Sequence, residues 1–254
     1  MHKGFYDLFE VDLAAKERFF SKYSNIEIKF SYSSYQSVIN SFSVPSQNMF
    51  YPTFKDTYFI GKTIGLKYTY KKFAATKLRG INPIGTEIEF KYNYELNKFN
   101  DTQSYTIADG ILKPVFTPYN FHRLELNFTE HLATFKDHTV SLRFRAASIL
   151  GNTVPDFFDF YLGGIVGMRA YPYYAISGNR LGWLNLTYRF PLFQNIDTRI
   201  GELYIDNIFL SVYGDIGDAW NGSFPDLSTF KKGIGGEIRI KMNSFYLFPT
   251  AFFF

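Results

Sequence analysis

Residues 87–96 read EIEFKYNYEL, in which Ile88, Phe90, Tyr92, Tyr94 and Leu96 are apolar or aromatic and Glu87, Glu89, Lys91, Asn93 and Glu95 are polar. A helix advances about 100° per residue and would scatter these five apolar side chains around its circumference. An extended chain places all of them on one face. The segment therefore reads as a β-strand with one oily and one wet side.

The same alternation recurs at Ile26, Ile28, Phe30 and Tyr32, and at Tyr58, Ile60, Ile64, Leu66, Tyr68 and Tyr70. It returns at Leu124, Leu126 and Phe128, and at Val140, Leu142, Phe144 and Ala146, where Arg143 and Arg145 intervene. Further runs are Leu184 to Phe190, Leu210 to Ile216, Ile234 to Ile240 and the aromatic chain end at 245–254. This makes nine expected strands, with a tenth suspected near residues 42–50. Several runs exceed the roughly 5–6 residues usual in soluble strands and match the roughly 9–11 that cross a bilayer at a tilt. Only residues 11–20 carry a pattern compatible with a short helix, so 1–24 is set apart as an N-terminal segment and 25–254 is read as one β domain.

Composition points the same way. Thirty Phe, 20 Tyr and 2 Trp in 254 residues are an unusual aromatic load for a chain that is only 46% hydrophobic. Tyr and Phe concentrate where a barrel wall meets the two membrane interfaces. The chain has no cysteine, which excludes disulfide frameworks and thiolate metal sites. No apolar run reaches the 18 residues of a helical span. The acidic N-terminus, with Asp7, Glu10, Asp12 and Glu17, does not read as a secretory signal. A soluble barrel or sandwich also alternates, with its oily side inward. Strand length, aromatic content and the ending FYLFPTAFFF favour an antiparallel transmembrane β-barrel; the final Phe254 resembles the C-terminal signal of bacterial outer-membrane barrels, or else marks a cut within a longer chain.

The least strand-like stretch is 159–177, DFYLGGIVGMRAYPYYAIS, between the strand ending at Leu150 and the one beginning near Asn179. It is too long for a hairpin turn, and an apolar insertion requires burial, for which a barrel offers its lumen. Arg169 there calls for an anionic partner. Asp215 has the opposite parity to Leu210, Val212, Gly214 and Ile216, so it faces the lumen. A guanidinium fork on a carboxylate suits a partly dried interior, and losing one member of a well-buried pair costs about 3–5 kcal/mol. The plainer alternative leaves Arg169 in an exposed loop and Asp215 among lumen waters.

The stretch LGGIVGMRAYP at 162–172 resembles the loop motif of the outer-membrane protein assembly and two-partner secretion transporter superfamily, also called the bacterial surface antigen barrels. That motif has Gly-Gly, a few residues, then Arg-Gly-Phe/Tyr; Gly163, Gly164, Arg169 and Tyr171 match, and Ala170 replaces the usual glycine. Downstream, VYGDIGDAW at 212–220 resembles the family's next recognisable strand, with Asp215, Gly217 and Trp220 at matching positions. The resemblance implies that Arg169 locks onto Asp215. It implies a sixteen-stranded barrel with five strands after the loop, where four are read here, so this chain is expected to be the C-terminal portion of such a barrel. It also implies residence in the bacterial cell outer membrane, contact with outer-membrane lipid, a polypeptide substrate, and a periplasmic module or accessory proteins as partners.

The expected function is insertion of proteins into, or translocation across, the outer membrane, with no cofactor. The alternative is a passive pore, or an anchor for an upstream periplasmic module. Enzyme chemistry is not expected. His2, His122, His131 and His138 are too scattered for a zinc motif, no GxSxG elbow occurs, and an embedded hydrolase would need a Ser–His pair within hydrogen-bond reach. A net charge of +4 spread along the strands gives no support to nucleic-acid binding.

Overall fold

The computed structural model describes residues 4–44, 49–51, 53–76, 78–108, 111–164, 167–245 and 248–253. Its strands are β1 (Gly4–Phe19), β2 (Ser21–Ile39), β3 (Phe42–Val44), β4 (Met49–Tyr51), β5 (Phe54–Phe73), β6 (Gly85–Phe99), β7 (Tyr105–Ala108), β8 (Ile111–Pro114) and β9 (Thr117–Ala133). They continue as β10 (Thr139–Gly151), β11 (Phe160–Leu162), β12 (Ile176–Gly178), β13 (Arg180–Phe193), β14 (Thr198–Ile200), β15 (Leu203–Trp220), β16 (Lys231–Ser244) and β17 (Phe248–Phe253). One antiparallel meander runs β1-β2-β5-β6-β9-β10-β13-β15-β16-β17, with β14 paired to β15 alongside it. Among the described residues β1 and β17 are its two edges and do not pair with each other. The pairs β3·β4, β7·β8 and β11·β12 are separate short hairpins.

All nine expected strands are present, and the suspected tenth is the β3–β4 hairpin, outside the large sheet. The chain-end strand spans Phe248–Phe253, and Phe254, on which the terminal-signal reading rests, lies outside the described residues. Residues 11–20 are not helical. They belong to β1, which pairs with β2 along nearly its whole length, so the segment set apart at 1–24 is part of the same sheet. Phe9, Val11 and Leu13 alternate with Glu10 and Asp12, and Asp12 reaches Lys29 on β2 at 2.7 Å. Cross-strand pairing overrides the helix preference of Ala14, Ala15, Lys16 and Glu17.

Along the middle of β13, β15 and β16 burial follows the strand period with its polarity reversed from that of a soluble sheet, while nearer the long-connection end the inner face is apolar, with Phe121, Ile149, Leu181 and Trp183 buried. In β13, Asn185, Thr187 and Arg189 are buried, while Leu184, Leu186 (54% exposed) and Tyr188 face outward. In β15, Ser211 and Asp215 are buried and Val212 is exposed; in β16, Glu237 is buried and Ile234 and Ile238 are exposed. Register carries the polar side across strands as a continuous row, Thr139–Arg189–Ser211–Glu237. The oily row Leu142–Leu186–Gly214–Ile234 runs parallel to it on the other face. Lys62 interrupts the outward stripe of β5, but it pairs through Leu96 with Asn120, one residue beyond the level at which β10 ends. At such a height a lysine stem covers apolar surface while its head reaches the polar rim.

The connections are unequal at the two ends of the sheet. At one end lie the connections β1–β2, β5–β6, β9–β10, β13–β15 and β16–β17; at the other lie the mostly longer β2–β5, β6–β9, β10–β13 and β15–β16. The sheet also curls. The long 152–179 connection touches Tyr35 on β2 through Phe157 and Glu237 on β16 through Arg169. Those strands stand seven steps apart in the sheet order, about 34 Å if the sheet were flat. At the opposite end the β5–β6 connection tucks inward. Ile81 and Asn82 are buried, Arg239 Nη1 on β16 donates to Ile81 O at 3.1 Å, and Asn82 Nδ2 donates to Asp137 O at 2.7 Å.

Candidate functional site

The concave face is filled by the β10–β13 connection. It leaves β10 through a short 3-10 turn at Asp156–Phe158, whose two phenylalanines enter an aromatic nest. Phe157 stacks on Phe99 at 4.8 Å, and Phe158 meets Phe121 edge-on at 5.1 Å. Arg123 fastens the turn: its Nη2 donates to Phe158 O at 2.8 Å while its Nε donates to Glu95 at 2.7 Å. Phe160, Leu162, Met168 and Ile176 of the loop are buried against Ala147, Ile149, Leu181, Trp183 and Ala219 of the sheet. On the inner face these apolar side chains leave water by packing on the sheet's own buried residues.

The Gly-Gly pair has a steric role. Gly163 has φ +132, and a Cβ there would stand 2.3 Å from Pro172 O; Gly164 has φ +76, and a Cβ would stand 2.4 Å from the Tyr173 ring. Both positions exclude a side chain by conformation and by contact. Gly164 N donates to Tyr171 O at 2.9 Å and Tyr171 N to Met168 O at 3.1 Å, folding the loop tip back on itself. Ala170 does not take up a positive φ, so the backbone here needs no glycine. Its methyl lies 3.1 Å from where a Cβ on Gly233 would be, and β16 leaves room for it only because residue 233 is glycine.

Arg169 is turned toward the sheet, and its Nη1 donates to Glu237 Oε2 at 2.8 Å rather than to Asp215. Its guanidinium also lies over the Tyr213 ring, 4.7 Å from the centroid, an arrangement worth about 0.5–2 kcal/mol. The expected Arg169–Asp215 bond is thus replaced. Asp215 Oδ1 accepts from Trp183 Nε1 at 3.1 Å and from Asn185 Nδ2 at 2.9 Å. Its cross-strand partner on β16 is Gly233, whereas Glu237 stands opposite Ser211, nearer the short-connection end. The loop passes over Gly233 and descends to the level of Glu237.

Gly217 faces inward beneath the loop, where a Cβ would stand 3.0 Å from Leu162 Cδ2 and from Trp183 Cδ1. Trp220 is not an inner-face residue. It pairs with Arg180, its ring lies over the outward Cβ direction of Gly182, and it packs with Phe224 at 5.2 Å and Phe230 at 5.8 Å. The inner tryptophan is Trp183. Tyr171 reaches β16 through its hydroxyl, which donates to Lys232 O at 3.3 Å. Glu237, Tyr213 and Trp183 were missed in the sequence. Glu237 was legible there, having the opposite parity to Ile234, Gly236, Ile238 and Ile240.

One Ser–His pair stands within hydrogen-bond reach among the described residues: His131 Nδ1 and Ser141 Oγ, 2.6 Å apart on neighbouring strands. Ser141 is fully buried and His131 nearly so, and among the described residues the ring's hydrogen bond is to Ser141, with no carboxylate on it. A general base needs a partner that stabilises the imidazolium. Among the described residues no group of His, Asp or Glu is gathered to hold a metal ion. No protein-family model and no curated protein matches the chain.

Proposed function

We propose that this chain forms part of an outer-membrane β-barrel of the protein assembly and two-partner secretion transporter type, and that it assists polypeptides into or across that membrane. The observation that carries the reading is the reversed polarity of the sheet: Leu184, Leu186 and Tyr188 outward, Asn185, Thr187 and Arg189 inward. Water does not favour that arrangement and hydrocarbon does. In a bilayer the outer edges of β1 and β17 require hydrogen-bond partners, from each other or from additional strands. The unequal connections fit a barrel with short turns on the periplasmic side and long ones outside.

The loop distinguishes a transporter from a passive pore. Phe158, Phe160, Leu162, Met168 and Ile176 occupy the interior and Arg169 ties their tip to β16, so an open water channel is not the resting state in this reading. Beside the loop, the inner faces of β1, β2, β5 and β6 leave a polar groove lined by Glu10, Lys29, Ser31, Ser33, Thr63 and Asn93, which suits an extended backbone in transit. Planar-bilayer recording tests this. A low, flickering conductance that rises in Arg169→Ala supports the plugged transporter, and a large steady conductance in the unaltered chain supports the passive pore. Insertion of an unfolded barrel substrate into vesicles carrying the protein tests the assisting role, and a rate equal to that of empty vesicles contradicts it.

A further inference from the structure

Below the loop, between β10, β13, β15 and β16, the interior holds more positive charge than it neutralises. Arg189 is 1% exposed. Its Nε donates to Ser211 Oγ at 3.0 Å, its Nη2 is 4.0 Å from Glu237 Oε1, and its Nη1 is buried with no hydrogen-bond partner among the described residues. Glu237 is already engaged on both oxygens, by Arg169 at Oε2 and by Arg239 at Oε1. Asp215 is held by Trp183 and Asn185. Arg143, on the inner face of β10, stands opposite Asn185, four residues along the strand from Thr139, which faces Arg189, and it forms no ion pair among the described residues. Arg143, Arg169, Arg189 and Arg239 against Asp215 and Glu237 give four minus two, an excess of two positive charges.

A buried guanidinium does not shed its proton, so such an excess is neutralised by an anion or carried against uncompensated desolvation and repulsion. A guanidinium presents parallel N–H donors that match two oxygens of a tetrahedral oxyanion. The unsatisfied Nη1 of Arg189 is one such donor, already desolvated and fixed by the bond from Nε to Ser211.

We propose that this inner cluster is a binding site for a small dianionic oxyanion of the phosphate or sulfate class, held between Arg189 and Arg143 and screened from Glu237 by Arg239. The site rests on the inward geometry of these strands and not on the transport reading. An oxyanion there would tie β10 to β13 and β16 beneath the loop anchor and steady the wall on which Arg169 closes.

The test uses the chain folded in zwitterionic detergent without phosphate or sulfate. Inorganic phosphate is titrated calorimetrically, and the unfolding midpoint is followed at constant ionic strength against chloride and against acetate. The proposal expects one equivalent bound saturably, with a midpoint that rises in phosphate, less in acetate and not in chloride. Arg143→Gln removes a cation that forms no ion pair among the described residues, and it is expected to weaken phosphate at least tenfold while raising the midpoint in chloride, where no oxyanion offsets the repulsion. Arg189→Met is expected to abolish the response; should that variant not fold, Arg143→Gln carries the test. Equal midpoints in phosphate and chloride overturn the proposal, as does binding of several equivalents with an affinity that Arg143→Gln leaves intact, which is adsorption at surface lysines.

Discussion

Gly164 concentrates the demands of the loop in one position, because its φ of +76 and the Tyr173 ring both refuse a side chain. Gly164→Ala is expected to cost about 2 kcal/mol or more, since backbone strain and overpacking add. Heat-dependent unfolding on detergent gels reads the loss as a lower transition temperature. Arg169 and Glu237 offer a second check. Arg169 is about a third exposed, so their coupling in a double-mutant cycle is expected near 1–2 kcal/mol, well below that of a fully buried pair. Coupling between Arg169 and Asp215 is expected below about 0.5 kcal/mol, because Asp215 is occupied by Trp183 and Asn185. The reverse ranking would restore the pairing that the sequence motif implies. Ala170 shows how a motif misleads about its own exceptions: the glycine was sought at 170, and the one that makes room stands across the sheet at 233.

Neighbouring strand positions ought to answer a charge oppositely. Phe90 on β6 faces outward, whereas Thr69 on β5 faces inward directly opposite Glu89. Phe90→Lys is expected to cost about 2–4 kcal/mol of folding free energy in lipid vesicles if it lies near the midplane. Thr69→Lys is expected to stay within about 1 kcal/mol, since the inner face is wet and polar there, with Glu89 already held by Lys67 and Lys91. Urea titration of vesicle-inserted protein measures both, and equal costs would contradict the assignment of faces. The nine strands were legible because a two-residue period survives any tertiary arrangement. β1 was not, because Ala14 to Glu17 carry local helix preference and only pairing with β2 discloses the strand. Parity placed Asp215 inward and placed Glu237 there equally well; which of them receives Arg169 depends on where a long loop crosses the sheet, and no local pattern encodes that. Trp220 was misassigned for a related reason, since its motif spacing was read without its parity, which sets it outward with Arg180.

The curled sheet has an interior spanned at two levels. The β10–β13 loop bridges from Tyr35 to Glu237, and the β5–β6 connection reaches from Ile81 to Arg239. Opening such an interior requires release of the loop tip, so Arg169→Ala is expected to raise conductance as well as lower heat resistance. All of this depends on which face of the sheet meets hydrocarbon. The chain has no cysteine, so a single introduced cysteine gives a unique spin-label site. Labels placed one at a time at positions 184 to 189 of the vesicle-inserted protein can be scored for collision with lipid-soluble oxygen and with a water-soluble nickel chelate. Oxygen accessibility that is high at 184, 186 and 188 and low at 185, 187 and 189 is the predicted result; no alternation, or alternation in the opposite phase, would contradict the account.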